Sequence, residues 1–575
     1  MRLRIDENKD GSKNFYILKS YRNEQGKSTT KIYKKLGTLE ELSKLHEDPY
    51  QWAAEYVKEL TELENQKSLQ IMVGFHPLEQ ITKDKQSLYE GGYLFLQKIY
   101  YSLRLDYICK QIEKRHDFEY DLNSILCRLI YGRILAPTSK LGTYEYSESL
   151  LEERNFELQD VYRALDIIAE ESDYIQSALY KFSKKLGKRN DRVLYYDCTN
   201  YYFEIEQESG IRKYGISKEN RPNPIVEMGL LMDGSGIPLA FCLHSGNTNE
   251  QLTLKPLEKQ IINDFGNSKF VVCTDAGLSS IANRKFNDVG GRAFITAQSI
   301  KKLRNFQKEW ALHPDGWKLI KRKNVYNIED ILNDENLTAE YYEDIFYKEQ
   351  WFCEDGLEQR IIVTFSIKYR DYNRMIRGEQ IERARKALSS ANQKETSRQT
   401  DYKRFITKTA ITENGEVADK NICALNDEKI SEEEKYDGFY AVATDLEDPV
   451  ESILAVNKGR WEIEESFRIM KSEFQARPVF VRKDDRILAH FTTCFLALTL
   501  FRYMEKKLHG KYTCSQIIKG LNQIKFLHFP DHGYVPAYTR NDFTDDLHDV
   551  FHFRTDYEIL TNASMRKIIS ETKQK

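Results

Sequence analysis

The chain has 575 residues, 41% of them hydrophobic, 30% charged and 12% aromatic, which is the make-up of a globular protein with ample core and room for two to four domains. A formal net charge of −3 neither demands nor excludes nucleic acid, so a DNA-binding surface has to come from local patches of Lys and Arg. The nine cysteines are scattered with no CxxC pair, which excludes a disulfide framework and a cysteine zinc site.

No run of eighteen or more apolar residues is found, so no membrane span is expected. The opening MRLRIDENKDGSKNFY lacks an apolar signal region, and a cytoplasmic location is expected.

In chain order, residues 14–37 read as two strands around NEQGK, a small β unit. Residues 39–68 turn helical and highly charged. Residues 86–188 are helix-rich, with GYLFLQKIYYSLRL, LNSILCRLIYGRIL stopped by Pro137, and a long amphipathic stretch ending at Gly187. The period then changes. VLYYDCTNYYFE (193–204) has the β-branched and aromatic density of a central strand. IVEMGLLMD and IPLAFCLHSG read as a hairpin around GSG, followed by a helix over 252–264, the strand KFVVCTDAG (269–277) and a helix from about 279. This is an α/β pattern with a mixed sheet.

Residues 300–440 break the rhythm with short strands, an acidic stretch and a basic tract. From Lys368 to Lys408 there are twelve Lys/Arg against five Asp/Glu, which suits either a solvated helix or a nucleic-acid contact. The strand DGFYAVATD follows at 437, and then the helix KGRWEIEESFRIMKSEF (458–474). On that helix Ile463, Phe467, Met470 and Phe474 form an apolar stripe, and Arg460, Glu464, Arg468 and Lys471 a charged one along its edge.

Three carboxylates carry the chemistry. Asp197 lies inside its strand, where an unpaired charge is costly. Asp275 closes its strand ahead of Ala-Gly. Acids converging from two strands of one sheet repel each other, and a divalent cation is the usual remedy. Mg²⁺ takes a few carboxylates and keeps waters for substrate oxygens, and two such ions about 4 Å apart clamp both oxygens of a phosphoryl transfer. Glu464 is the expected third ligand. Glu465 is its rival, but it points about 100° away, off the Arg460–Lys471 row. His490, in ILAHFTTCFLAL, reads as a satisfied core histidine.

The order strand-Asp, strand-Asp, helix-Glu, with a long interruption before the Glu, resembles the ribonuclease-H-like core of DDE transposases. The spacing around Glu464 is similar to the Y-x2-R-x3-E-x6-K signature of a bacterial insertion-sequence superfamily, with Arg460, Glu464 and Lys471 at the R, E and K positions. YGISKENRPNPIVEMGLLMDGSGIPLAFCLHSGNTNEQLTL resembles that family's text between its two aspartates, and TDAGLSS its second-aspartate motif. Asn457 stands where the signature has Tyr, and Asn223 where Asp is commoner.

The resemblance implies a ribonuclease-H-like mixed sheet flanked by helices, interrupted by a β-rich insertion, with a helical N-terminal region preceded by a small β unit. The expected domains are 1–85 (β unit plus charged helix), 86–190 (helical, DNA-binding), 191–300 with 437–510 (catalytic core), 301–436 (insertion) and 511–575 (C-terminal region). It further implies cut-and-paste DNA transposition by an endonuclease and strand transferase. Asp197, Asp275 and Glu464 would be the catalytic metal ligands for two Mg²⁺, with Mn²⁺ able to substitute. Arg460, Lys471, Arg468, Lys218 and Arg221 would contact DNA. The implied partners are double-stranded DNA, as terminal inverted repeats and as target, and a second copy of the chain on paired ends, with no membrane. Trp310, Trp317, Trp351 and Trp461 are candidates for holding a flipped base. The alternatives are a catalytically inactive DNA-binding derivative and a metal-dependent nuclease that only hydrolyses.

Overall fold

A computed structural model describes the whole chain except residues 9–10, 23–27, 69–70, 321, 389–400, 412–419 and 575. The tip of the first hairpin and part of the basic tract thus lie outside the described residues. The chain divides into two compact units, one of residues 1–85 with 529–532 and one of everything else.

The smaller unit begins with an antiparallel sheet, β1 (Arg2–Glu7), β2 (Lys13–Arg22) and β3 (Ser28–Thr38), in that spatial order. Thr38 caps α1 (Leu39–Ser43) in a reciprocal capping box with Glu41, and α2 (Pro49–Ser68) follows. Phe15, Leu42 and Ala53 are its buried centre.

The larger unit opens with β4 (Leu88–Glu90) and the helices α3 (Tyr93–Ser102), α4 (Leu105–Glu113), α5 (Leu122–Leu135), α6 (Lys140–Tyr146), α7 (Leu158–Glu170) and α8 (Ser172–Leu186). α5 is almost wholly buried, its Leu and Ile side chains spread round the helix and its Arg128 and Arg133 buried with them on main-chain carbonyls. Then come β5 (Val193–Tyr202), β6 (Ile225–Asp233), β7 (Pro238–Ser245), α9 (Leu254–Gln260), β8 (Val271–Thr274), α10 (Ile281–Asn287) and β9 (Ala293–Gln298). β5, β6 and β7 pair antiparallel, and β8 runs parallel to β5 and β9 parallel to β8, with α10 as the crossover. The order β7-β6-β5-β8-β9 is the ribonuclease-H-like mixed sheet expected from the sequence.

The interruption supplies α11 (Asn305–Leu312), β10 (Trp317–Leu319), β11 (Val325–Tyr326), α12 (Ile328–Asn333), α13 (Glu335–Glu340), β12 (Phe346–Glu354), β13 (Leu357–Phe365), α14 (Ile367–Leu388), β14 (Ile406–Ile411), β15 (Lys420–Leu425) and α15 (Asp427–Glu434). After it, β16 (Phe439–Thr444) inserts between β9 and β13. The hairpin β12–β13 therefore extends the central sheet, which reaches ten strands.

α16 (Val450–Lys458), α17 (Trp461–Arg468) and α18 (Asp484–Lys507) close the core. α18 is long and apolar enough to cross a membrane by length and composition, but its side chains are buried against α3, α5, α7 and β7. It is the central core helix of this unit.

Candidate active site

β5 alternates as a strand must, sending Tyr195, Asp197, Thr199 and Tyr201 to one face. Contacts identify that face. Tyr195 donates to the Val456 carbonyl at the end of α16 (3.0 Å), and Tyr201 meets Met470 beyond α17. Asp197 is therefore on the side covered by α16 and α17. On the neighbouring parallel strand Tyr195 pairs with Cys273, and Asp275 follows the last residue of β8, near enough for its charge to act on Asp197. Strand neighbours lie about 4.8 Å apart, so the two carboxylates come from adjacent backbones. One oxygen of Asp275 accepts the main-chain N–H groups of Gly277 and Leu278, both at 3.0 Å, which fixes the carboxylate in the Asp-Ala-Gly turn.

The helix reaches the sheet through Gly459. A Cβ there would come 2.2 Å from the Tyr195 hydroxyl, so only glycine lets the α16–α17 junction approach β5 this closely. Ile463, Phe467, Met470 and Phe474 are buried, as their spacing predicts. The charged row is less regular than a straight helix would make it. α17 passes into a π turn over Ile469–Glu473, which winds by less than 100° per residue and turns Lys471 off the line of Glu464. Lys471 points inward, its side chain 13% exposed, and its Nζ donates to Thr199 Oγ1 at 2.6 Å. Glu464 is 63% exposed and lies 3.9 Å from Arg460.

Among the described residues Asp197 has no ion pair within 4 Å, and it accepts the Cys198 N–H at 2.8 Å. Burial, with Asp275 adding to it against the pull of Lys218 and Arg460, pushes the Asp197 carboxyl up to about 6. Burial, together with Lys218, pulls the Lys471 ammonium down to about 8. Among the described residues the site thus holds two carboxylates with no ion pair within 4 Å, only the more distant pull of Lys218 and Arg460, and donors made only of oxygen, which fits a hard divalent cation. The three carboxylates do not bring their oxygens within 4.8 Å of one another. Among the described residues the set that does so is Asp545, His548 and Asp556. There Arg554 holds Asp556 through two bonds (3.0 and 2.8 Å), and Arg540 and Arg554 both bond Asp545. That set is an ion-pair network, already neutralised.

The other expected DNA contacts are engaged within the protein. Lys218 Nζ donates to the Cys198 carbonyl (2.6 Å) and pairs with Glu250 (2.7 Å). Arg221 lies over the Tyr202 ring at 4.1 Å. Arg468 pairs with Glu465 at 3.1 Å. In the basic tract Arg377 is buried against Asp437, and Arg404 pairs with Glu433. Trp317 is core, whereas Trp351 and Trp461 are exposed. His490 is buried, with the Ala476 carbonyl 3.1 Å from its ring nitrogen, as a core histidine should be.

Three groups near the site escaped the sequence reading. Glu219 is bound by Arg477 and lies 3.4 Å from Lys471. Glu227, on β6, is buried, and its carboxyl is pushed up to about 7, by burial first and then by Glu250. Tyr440, on β16, accepts a hydrogen bond from Asn457 Nδ2 at 3.1 Å and feels the charge of Arg460. Only the position of Thr199, two residues along one strand face from Asp197, was a signal present in the sequence.

No curated protein matches the chain. A cryo-EM structure of the piggyBac transposase synaptic complex with hairpin DNA is similar at 8% identity and a TM-score of 0.34, covering 84% of this chain and 85% of that one. Residues 202–500 match the family model described as transposase DDE domain, a range that begins just after Asp197 and contains Asp275 and Glu464. That range is more than half of the 575 residues, and the chain belongs to the transposase DDE domain family.

Proposed function

We propose that this protein is the transposase of a bacterial insertion sequence of the Y-R-E-K superfamily, cutting the element's ends and joining them to target DNA. The observation that carries this reading is that Asp197, on β5, and Asp275, just past the end of the adjacent parallel strand β8, are close enough for their charges to interact, beside the α17 segment that bears Arg460, Glu464 and Lys471. The reaction is two phosphoryl transfers. In the first, a water oxygen bonds to phosphorus and the 3′-oxygen of the element end leaves with a proton. In the second, that 3′-hydroxyl gives up its proton, bonds to a target phosphorus and expels the target's 3′-oxygen.

Asp197, Asp275 and Glu464 would hold two Mg²⁺, or Mn²⁺ in their place, and the ions when bound would supply the charge that favours the attacking oxygen and stabilises the leaving one. Lys471, oriented by Thr199, would donate to a non-bridging phosphate oxygen, and Arg460 would hold the same phosphodiester from the start of α17. Arg468, Lys218 and Arg221 would hold the flanking backbone once Glu465, Glu250 and Glu219, their internal acidic partners, exchange for phosphate. Two ends must be paired for one insertion, so the active species is a homodimer on DNA, acting in the cytoplasm at the nucleoid.

The test is incubation of the protein with a supercoiled plasmid carrying the two ends that flank its gene, with Mg²⁺ or with EDTA. Mg²⁺-dependent cleavage at the ends followed by joining to target is the expected result. Cleavage without joining would make it a hydrolytic nuclease, and end binding without cleavage an inactive derivative.

A further inference from the structure

The three-stranded sheet of the smaller unit has two unlike faces. Directly opposed residues of antiparallel strands share a face, so Leu3, Ile17 and Lys34 form one rung, and Ile5 and Phe15 the next on the same side. That side is covered by the helices. Phe15 and Leu3 pack with Leu42 and Ala53, and Lys34 Nζ reaches the Tyr56 hydroxyl of α2 at 3.0 Å. The other side carries Arg4, Tyr16 and Lys35 as one rung and Arg2, Leu18 and Ile32 as the next, with Leu18 itself buried at 5% exposure.

On this second face Arg2, Arg4 and Lys35 are exposed and Ile32 is 58% exposed. Lys35 Nζ stands 5.9 Å from the centre of the Tyr16 ring, and among the described residues neither Lys35 nor Arg2 has an ion pair within 4 Å. Arg4 has one exposed partner, Asp6, at 2.6 Å. Charge is segregated within the unit. Residues 1–38 carry ten Lys/Arg against four Asp/Glu, whereas residues 39–68 carry three against eight. A sheet that needed only solubility would mix the two signs. Here the three strands carry eight Lys/Arg against two Asp/Glu and the helices are acidic, which sets up a field that draws a polyanion to the sheet.

We propose that the face of β1–β2–β3 turned away from α2 is a DNA-contacting surface that grips duplex phosphates through Arg2, Arg4 and Lys35, with Tyr16 and Ile32 packing on the sugar edge between them. The proposal rests on the reading of the protein as one that acts on DNA, and adds a surface outside the carboxylate site. Three cations on two rungs, unpaired or weakly paired, are available to replace condensed counterions, which is the main source of affinity for duplex DNA. Lysine and arginine in strands are an established way of presenting a sheet to a duplex.

The experiment compares the full-length protein with the triple variant Arg2→Gln/Arg4→Gln/Lys35→Gln and with the charge-keeping Arg2→Lys/Arg4→Lys/Lys35→Arg. Binding to a duplex of about thirty base pairs is measured by fluorescence anisotropy over a series of KCl concentrations, with the circular dichroism melt as a control on folding. Each lost phosphate contact lowers the slope of log K against log[KCl] by about 0.9, so a drop of about 2 to 3 is expected in the Gln variant, with affinity at least about tenfold weaker, and near wild-type behaviour in the charge-keeping one. An unchanged slope and affinity in a folded Gln variant, while the wild type binds, overturns the inference and leaves the transposase reading standing. Failure of the wild type to bind any duplex overturns both. Loss confined to an RNA hairpin or to an acidic protein would assign the face to another partner and overturns the inference.

Discussion

Lys471 Nζ donates to Thr199 Oγ1 across 2.6 Å, which ties the π turn beyond α17 to the strand that carries Asp197. Thr199 is buried, so Thr199→Val keeps the volume and removes the acceptor. End cleavage is expected to fall by about tenfold in this variant and by about a hundredfold in Lys471→Ala, the usual scale for one lost transition-state donor. DNA binding should change little in Thr199→Val. Single-turnover cleavage beside a binding isotherm checks this, and a Thr199→Val rate equal to wild type would contradict it.

Tyr440 is held by the amide of Asn457 beside Arg460, and Asn457 stands where the signature has tyrosine. The amide donates, so the phenol's own proton is free for a phosphate oxygen. Tyr440→Phe is expected to slow cleavage by about tenfold, or about 1.4 kcal/mol of barrier, without lowering the melting temperature. An unaltered rate would remove Tyr440 from the site.

Much of this arrangement was legible in the sequence, for physical reasons. β5 and β8 are dense in β-branched and aromatic residues, Asp197 interrupts such a run, and the buried stripe of α17 repeats at helical spacing. The straight charged row on 458–474 was not borne out, because the π turn at Ile469–Glu473 rotates Lys471 inward while Glu464 stays outside. No local pattern announces a π turn. The pairing of β13 with β16 was equally hidden, since an alternating strand does not name its partner across an interval of more than seventy residues. Tyr440 comes to the site on β16 and Glu219 on the loop before β6, and Glu227 comes by the pairing of β6 with β5, opposite Asn200, partners that spacing along the chain does not reveal.

Arg133, buried on α5, donates to the carbonyls of Phe474 (3.1 Å), Gln475 (3.4 Å) and Thr138 (3.2 Å). It fixes the chain as it leaves the π turn. Arg133→Met would leave these carbonyls without their donor, at a cost of about 2 to 4 kcal/mol. Urea unfolding checks the value, and a loss below about 1 kcal/mol would show that the exit is held by packing alone.

Lys140 is buried beside Arg133, and His490 and Cys494 also face it. Burial, then Arg133, pulls its ammonium down from the ordinary 10.5 to about 7. Its pKa is lower folded than unfolded, so between pH 7 and 10.5 the folded chain holds fewer protons at this group. Its contribution to stability therefore rises with pH through that window, by at most about 1.4 kcal/mol per pH unit. Lys140→Met should raise the melting temperature at pH 7 and flatten the rise between pH 7 and 9. Parallel melting curves for the two proteins across that range would contradict the assignment.

In the proposed reaction Glu464, although turned toward solvent, completes the set begun by Asp197 and Asp275. The most direct measurement is Mg²⁺-dependent cleavage of the element's terminal DNA by the wild type, Glu464→Ala and Glu465→Ala, with end binding measured on each. Glu464→Ala is expected to abolish cleavage while still binding the ends, and Glu465→Ala to cleave within about threefold of wild type. Cleavage by Glu464→Ala at the wild-type rate would contradict it.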